Sequence, residues 1–163
     1  MNPEIKLKIY TTTVKSDEKV SFKLPNQYSK DDILAIDTYR IKDGYFVKKM
    51  NSNNIHIHQL ENKLIIANKS SFNGSFIDNG KLGLVGSDKF YVLGNDLYKI
   101  KNLLDTNLGE IIAHYTKYRQ DFLDKDAFLY IIDVRNISEI DLPIINNEYL
   151  YKYFELSEDE IKL

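Results

Sequence analysis

The sequence predicts an α+β fold: a mainly antiparallel, curved sheet built from hairpins, with one main amphipathic helix packed on it. Three observations support this prediction. The first hundred residues contain short runs in which apolar and polar side chains alternate, as in half-buried strands. Glycine, asparagine and aspartate separate these runs, which is typical of consecutive hairpins. One long helical pattern then follows at about residues 108–123.

Length and composition predict a single domain over residues 1–163. Domains usually contain roughly 100–200 residues, and 43% of this chain is hydrophobic. The absence of cysteine excludes disulfides, thiolate zinc sites and cysteine nucleophiles. The amino-terminal residues lack the apolar stretch of a secretory signal, and no run of about 18 apolar residues occurs. We therefore expect a cytoplasmic protein without membrane partners.

The first predicted elements are a strand, a short helix and a hairpin. The run Val20–Leu24 alternates and ends at Pro25, as a half-buried strand does. Ser29 followed by Asp32 resembles a helix N-cap, which predicts a short helix over about 30–36. The runs 38–42 and 45–49 flank Asp43-Gly44. This pair predicts a two-residue hairpin turn in which both residues have positive φ.

Two further hairpins are expected. The run 55–60 alternates cleanly, 61–63 forms a turn, and 64–67 returns. The runs 89–93 and 97–100 then flank the turn residues 94–96.

The helix over about 108–123 has Asn107 as N-cap and Glu110 three residues later. Its predicted core face consists of Leu108, Ile111, Ile112, Tyr115, Tyr118 and Phe122. The run 127–134 is apolar on both faces, which predicts an interior strand covered by this helix. Residues 148–154 fit either a strand, with three tyrosines on one face, or a helix.

Histidines offer one candidate metal site. His56 and His58 would share a face of the predicted strand 55–60, and His114 could approach from the helix. Three neutral imidazoles can hold a catalytic zinc ion. The simpler interpretation is that the pair lies on the solvent face of a strand. We expect no metal, no cofactor and no enzymatic activity, and a metal-dependent enzyme using His56 and His58 remains an alternative.

Other catalytic patterns are incomplete. Glu61-Asn62-Lys63 has the Glu-x-Lys form of metal-dependent nucleases, but it falls in a predicted turn. The glycines between Gly80 and Gly86 lack the Gly-Lys-Ser/Thr ending of a phosphate-binding loop. Ser75 lacks the flanking glycines of a nucleophile elbow.

Charge is distributed unevenly along the chain. Residues 120–163 contain eleven acids and four bases, a net charge of −7, whereas the whole chain carries −2. This asymmetry predicts a surface for a basic partner. The candidate partner-binding residues are Asp121, Asp124, Asp126, Tyr149, Tyr151, Tyr153, Glu155, Glu158, Asp159 and Glu160. Tyrosine is enriched at interfaces, and acids steer basic partners.

Nucleic acid is not an expected partner. The chain is net negative, has three arginines, and contains one adjacent basic pair, Lys48-Lys49. The prediction is a bacterial cytosolic immunity protein that neutralises a basic protein toxin by stoichiometric blockade, with a nuclease as the expected toxin. The alternative within protein binding is another interaction module, such as a phage-encoded inhibitor or an assembly subunit.

Overall fold

The computed structural model describes residues 6–24, 29–67, 74–115, 117–118, 122–123, 128, 131–136, 146–153 and 155–162. Its fold is α+β, as the sequence predicts. The strands are β1 (Phe22–Lys23), β2 (Leu34–Arg40), β3 (Gly44–Lys49), β4 (Asn62–Ala67), β5 (Phe76–Asn79), β6 (Leu82–Leu84), β7 (Lys89–Leu93), β8 (Lys117–Tyr118) and β9 (Phe122–Leu123). The α-helices are α1 (Leu97–Leu104), α2 (Asn107–Tyr115), α3 (Asn147–Tyr153) and α4 (Glu158–Ile161).

Two sheets hold most of the strands. The first sheet has the order β1-β3-β2-β6, in which only the β2–β6 pair is parallel. The second sheet has the order β5-β4-β7 and is antiparallel. Strands β8 and β9 form a separate two-stranded ribbon. The prediction of a mainly antiparallel arrangement is therefore confirmed.

The second sheet lies between two hydrophobic clusters, because the side chains of β4 alternate between its faces. Leu64 and Ile66 belong to a cluster shared with helices α1, α2 and α3. Ile65 and Ala67 belong to a cluster shared with strands β2, β3 and β6. The layers are therefore first sheet, second sheet and helices, and β4 is buried on both faces.

Helix α1 covers the second sheet, and α2 packs against α1. The buried residues of α1 are Leu97, Ile100, Leu103 and Leu104, a stripe at helical spacing. Gly109 and Ala113 are the buried residues of α2. A Cβ atom on Gly109 would lie 2.2 Å from the Leu104 carbonyl oxygen, so only glycine permits this close approach.

The hairpin predicted around Asp43-Gly44 is confirmed, but its turn differs. Strands β2 and β3 pair from Leu34–Lys49 to Arg40–Gly44, and the Asp43 N–H donates to the Arg40 carbonyl (3.1 Å). Of Asp43 and Gly44, only Gly44 has positive φ, at 83°. The prediction of a two-residue turn is wrong, because a longer turn lets Gly44 alone supply the left-handed conformation.

Two other hairpin predictions are wrong. Residues 55–60 do not form a strand, since 57–60 are turn residues, and β4 pairs with β5 and β7 instead. The Gln59 side-chain amide donates to the carbonyls of Leu34 and Lys81 (3.1 and 3.0 Å), which fixes this segment between two strands. Residues 97–100 begin helix α1, because the apolar pattern continues at helical spacing to residue 104.

Near the amino terminus, two predicted elements differ. The helix over 30–36 is absent, and β2 begins at Leu34. The Ser29 hydroxyl accepts the Asp31 N–H (3.4 Å), so the cap-like residues make a turn before a strand. The strand at 20–24 contracts to β1, an exposed edge strand that pairs only with β3.

The carboxy-terminal predictions also need correction. The long helix ends at Tyr115, and the residues placed in its last turns pair as β8 and β9. In the part of 127–134 that the structure describes, Ile132 makes an isolated bridge to Lys6 and Val134 begins a 3-10 turn, so a continuous strand is not formed. For residues 148–154 the helical alternative is confirmed by α3.

Candidate partner-binding groove

A groove with a volume of about 470 Å³ lies between helices α2, α3 and α4. We call it the helical groove. Its lining residues are Asn107, Leu108, Glu110, Ile111, His114, Tyr115, Asn147, Leu150, Tyr151, Leu156 and Ile161. The lining is mainly aliphatic and aromatic, and its polar members are Asn107, Glu110, His114 and Asn147.

Helix α2 forms one wall. Leu108, Ile111 and Tyr115 repeat at intervals of three and four residues, so they share one side of the helix. They are 36%, 53% and 82% exposed. The sequence assigned these side chains to the core. The structure instead buries Gly109 and Ala113, because small residues allow α2 to approach α1 closely.

Helices α3 and α4 form the other wall. Leu150 is buried at the base, while Tyr151, Leu156 and Ile161 line the side. The Asn147 side-chain oxygen accepts the Asn107 N–H (2.6 Å), and the Asn107 side-chain amide donates to the Tyr151 hydroxyl (2.7 Å). These bonds hold the start of α2 against α3 and fix the width of the groove at that end.

A Schellman motif ends α3 and directs the chain into the groove. The Leu156 N–H donates to the Tyr151 carbonyl (2.9 Å), and the Glu155 N–H donates to the Lys152 carbonyl (3.2 Å). Glu155 occupies the left-handed position of this motif, with φ at 52°. Tyr151 and Leu156 are the pair that commonly makes the hydrophobic contact of the motif, and both line the groove.

The chain segments that form the groove are negatively charged. Residues 107–115 and 146–162 contain six acids and two lysines, a net charge of −4. The acids with described side chains are all exposed: Glu110, Glu148, Glu155, Glu158 and Asp159. Only the exposed pair Glu158–Lys162 (3.8 Å) forms an ion pair among them, and such pairs are weak.

The structure brings together part of the predicted site. Tyr151 lines the groove, and Glu155, Glu158 and Asp159 are exposed in the segment that carries Leu156 and Ile161. Tyr149 instead packs against the helical core cluster, since residues two apart on a helix point to different sides. Asp121, Asp124 and Asp126 lie outside the described residues, as do the side chains of Tyr153 and Glu160.

Sequence reasoning missed most of the groove lining. Leu108, Ile111 and Tyr115 looked like core residues, and Leu156 and Ile161 were not selected. The available signal was Gly109 with Ala113, a pair of small residues four apart that marks a second contact side on the same helix.

Asp133 also differs from the acids of the surface, because it is buried and paired with Arg135 (2.7 Å).

The histidines do not converge. His56 and His58 are neighbours, with ring centroids 5.7 Å apart, whereas His114 lines the helical groove. His56 is buried, and this burial, followed by the charges of His58 and Lys63, lowers its pKa to about 4. His58 Nδ1 lies 2.8 Å from the Tyr91 hydroxyl. In the described ranges, no group of three histidine, aspartate or glutamate side chains could hold a metal ion.

Lys63 of the Glu-x-Lys pattern forms a buried ion pair with Asp78. Lys63 Nζ lies 2.8 Å from Asp78 Oδ2 and also donates to the carbonyls of Gln59 and Glu61. The Asp78 carboxylate accepts the N–H groups of Lys81 and Leu82. The three acceptors satisfy all three N–H donors of the Lys63 ammonium group. The group thereby connects strand β4 to the loop after β5.

The part of the chain that the structure describes contains no helix with the length and apolarity needed to cross a lipid bilayer.

In comparisons with protein-family models, curated proteins and solved structures, nothing matches this chain.

Proposed function

We propose that this chain is a protein-binding module, a bacterial cytoplasmic immunity protein that neutralises a basic protein toxin by stoichiometric blockade. The helical groove is the observation that carries the proposal. Its apolar walls are exposed, and the segments that form it carry a net charge of −4. An apolar centre with a polar border is the usual organisation of a protein–protein interface.

The exposure of the walls favours a protein ligand over a small molecule. Sites for small molecules enclose most of the ligand surface. Here Tyr115 is 82% exposed and Ile111 is 53% exposed, so a bound small molecule would leave much apolar surface in water. A partner protein would cover these side chains and the surrounding polar positions together, which stabilises the complex through apolar burial.

The surrounding acids favour a basic partner. Glu155, Glu158 and Asp159 are exposed near the groove residues Leu156 and Ile161 in the sequence. Such a field accelerates association with a cationic protein, by roughly 10- to 1,000-fold at low salt. A nuclease has a cationic active cleft for phosphates, so carboxylates can occupy the positions of its substrate. This chemistry is the reason for proposing a nuclease toxin.

The test is protection from the product of the neighbouring gene. That product is expressed alone, with the wild-type chain, and with the variant Ile111→Lys. We expect growth arrest with the product alone, growth with the wild-type chain, and loss of protection with Ile111→Lys, because lysine places positive charge in the groove. The complex is also purified at low and high salt.

Ile57→Lys is the matched control. Ile57 is 83% exposed on the turn segment 55–60, outside the groove, so this variant receives the same charge change and should protect like the wild type. Absence of a complex at both salt concentrations would contradict the immunity role. A complex with a product that does not arrest growth would instead identify another interaction module, the alternative within the same class.

A further inference from the structure

We infer that the helical groove receives one amphipathic, lysine- or arginine-bearing α-helix of the partner, and that Glu155 is the acid that selects for its charge. This inference rests on the proposed function, since it names the element of the basic partner that enters the groove. Its apolar side chains would insert between α2 and α4. Its basic side chains would face Glu110, which lines the groove, and Glu155, which is exposed and directly precedes the groove residue Leu156.

The walls of the groove favour a helix over a strand. A bound strand gains most of its affinity from backbone hydrogen bonds to a sheet edge. The walls here are the helices α2, α3 and α4, whose backbone groups bond mainly within each helix. A helix needs only side-chain contacts. The stripe Leu108, Ile111 and Tyr115 presents the spacing that packs against the ridges of another helix.

The length of the stripe sets the size of the ligand. Leu108 and Tyr115 are seven residues apart on α2, which corresponds to about 10 Å along the helix axis. Two turns of a partner helix cover this distance and place about three apolar side chains in the groove.

Charge selects among the possible occupants. A second copy of this chain would bring another net charge of −4 against the same groove, and nucleic acid would bring phosphates. Both arrangements place like charges together. A cationic helix is the occupant whose charge complements the acids in this segment.

Glu155 is unfavourable for the fold at its own position. Its φ of 52° lies in the left-handed region, where glycine is the preferred residue. Its carboxylate also follows the carboxy-terminal end of α3, where the helix dipole disfavours negative charge. Among the described residues, Glu155 has no ion-pair partner that would offset these effects. We attribute the presence of this exposed residue to contact with a ligand.

The experiment uses the full chain and two stapled helical peptides as probes. Both peptides carry leucine at positions i, i+3 and i+7. One has lysine at the remaining positions and the other has glutamate, which keeps length and apolar surface constant. Binding is measured by fluorescence anisotropy, and the site is located by amide chemical-shift changes. We expect the lysine peptide to bind at least about tenfold more tightly and to shift amides of α2, α3 and α4.

Variants at Glu155 separate charge from backbone conformation. Glu155→Gln removes the charge and keeps the side-chain shape, whereas Glu155→Gly also relieves the left-handed strain. Both should weaken the lysine peptide by a similar factor, about three- to tenfold at low salt. Glu155→Gly should also raise Tm by about 2–4 °C, which excludes unfolding as the cause of weaker binding. Ile111→Lys should abolish binding, and Ile57→Lys should not affect it.

The outcomes distinguish this inference from the proposed function. Selective peptide binding in the groove without protection from a toxin would contradict the immunity role and support the cationic helix site. Protection that survives Ile111→Lys, or equal affinity for both peptides, would overturn the inference. Shifts confined to another surface, or unchanged affinity in Glu155→Gln, would also overturn it.

Discussion

His56 shows how one buried side chain links this fold to pH. The residue is 2% exposed, and its Nδ1 accepts the His58 backbone N–H (3.3 Å). This bond places the proton of the neutral ring on Nε2, which has no hydrogen-bond partner among the described residues. Gly83 leaves the space for this arrangement, since a Cβ there would lie 2.9 Å from the His56 Cβ. Protonation would add a charge at a buried position.

We predict that His56 makes the fold sensitive to mild acid. Its pKa is about 4 in the folded state and 6.5 as a free side chain. Between these values the unfolded chain binds more protons, so the free energy of unfolding decreases as the pH falls from 6.5 towards 4. The slope approaches about 1.4 kcal/mol per pH unit, and above pH 6.5 the effect disappears.

The measurement is urea unfolding at a series of pH values between 7 and 4.5 for the wild type and for His56→Asn, which retains an acceptor near the Nδ1 position. The variant should lose less stability across this range, because it lacks the titrating ring. His114→Asn, at an exposed histidine of α2, serves as the control and should follow the wild type. Parallel curves for the wild type and His56→Asn would contradict the prediction.

At the scale of elements, the buried pair Lys63–Asp78 connects strands β4 and β5 with the loop that leads to β6. Both side chains are at most 3% exposed, and their atoms are 2.8 Å apart. Lys101 in α1 and Asp105 at its C-cap are also 2.8 Å apart, but they are 30% and 40% exposed. The two pairs therefore have the same separation and differ in burial, which determines the cost of leaving one charge without its partner.

We predict that Lys63→Met destabilises the protein by about 3–5 kcal/mol, because Asp78 would remain buried without its counter-charge. The double variant Lys63→Met/Asp78→Asn should recover part of this loss, because it removes the second charge as well. Lys101→Met should cost less than about 1 kcal/mol. Thermal and urea unfolding of the four proteins provide the comparison. An equal cost for Lys63→Met and Lys101→Met would show that burial does not control the pair.

Elements were predicted well from the sequence where one periodicity dominated. They were predicted poorly where a tertiary contact determined the conformation of the segment. The hairpin of β2 and β3 follows from alternation and turn residues, and strand β4 follows from the short apolar run 64–67. Segment 55–60 also alternates, but the buried polar side chains His56 and Gln59 reverse its expected orientation and leave Ile57 exposed. Such an inversion depends on acceptors supplied by distant residues, which a local pattern does not contain.

The groove was predicted only in part, because local patterns do not show which side of a helix faces the core. Charge asymmetry identified the acidic segment because charge can be counted along the chain. It did not identify the α2 wall, since an apolar stripe looks alike whether it faces the core or a groove. Which side of α2 faces the core depends on Gly109, because its close approach to Leu104 turns the side with the small residues inward.

At the scale of the whole molecule, the second sheet belongs to two hydrophobic clusters. Strand β4 contributes Leu64 to the helical cluster and Ile65 to the cluster between the sheets, and both residues are fully buried. Strand β7 does the same with Val92 and Tyr91. Both clusters need strands β4 and β7 in place, so loss of either cluster would leave one face of the strands that support the other cluster exposed to water. We therefore expect the described layers to unfold as one cooperative unit.

The test compares two neighbouring truncations, Leu64→Ala and Ile65→Ala. Each should destabilise the protein by about 2–5 kcal/mol, because each leaves a cavity in a closely packed cluster. Far-UV circular dichroism follows the helices, and near-UV circular dichroism follows tyrosines such as Tyr45 and Tyr91, since the chain has no tryptophan. Both signals should shift together in both variants, whereas Leu60→Ala, at an 85% exposed position, should change neither. If Ile65→Ala displaced only the tyrosine signal, the cluster between the sheets would melt separately, and the shared strands would not couple the two layers.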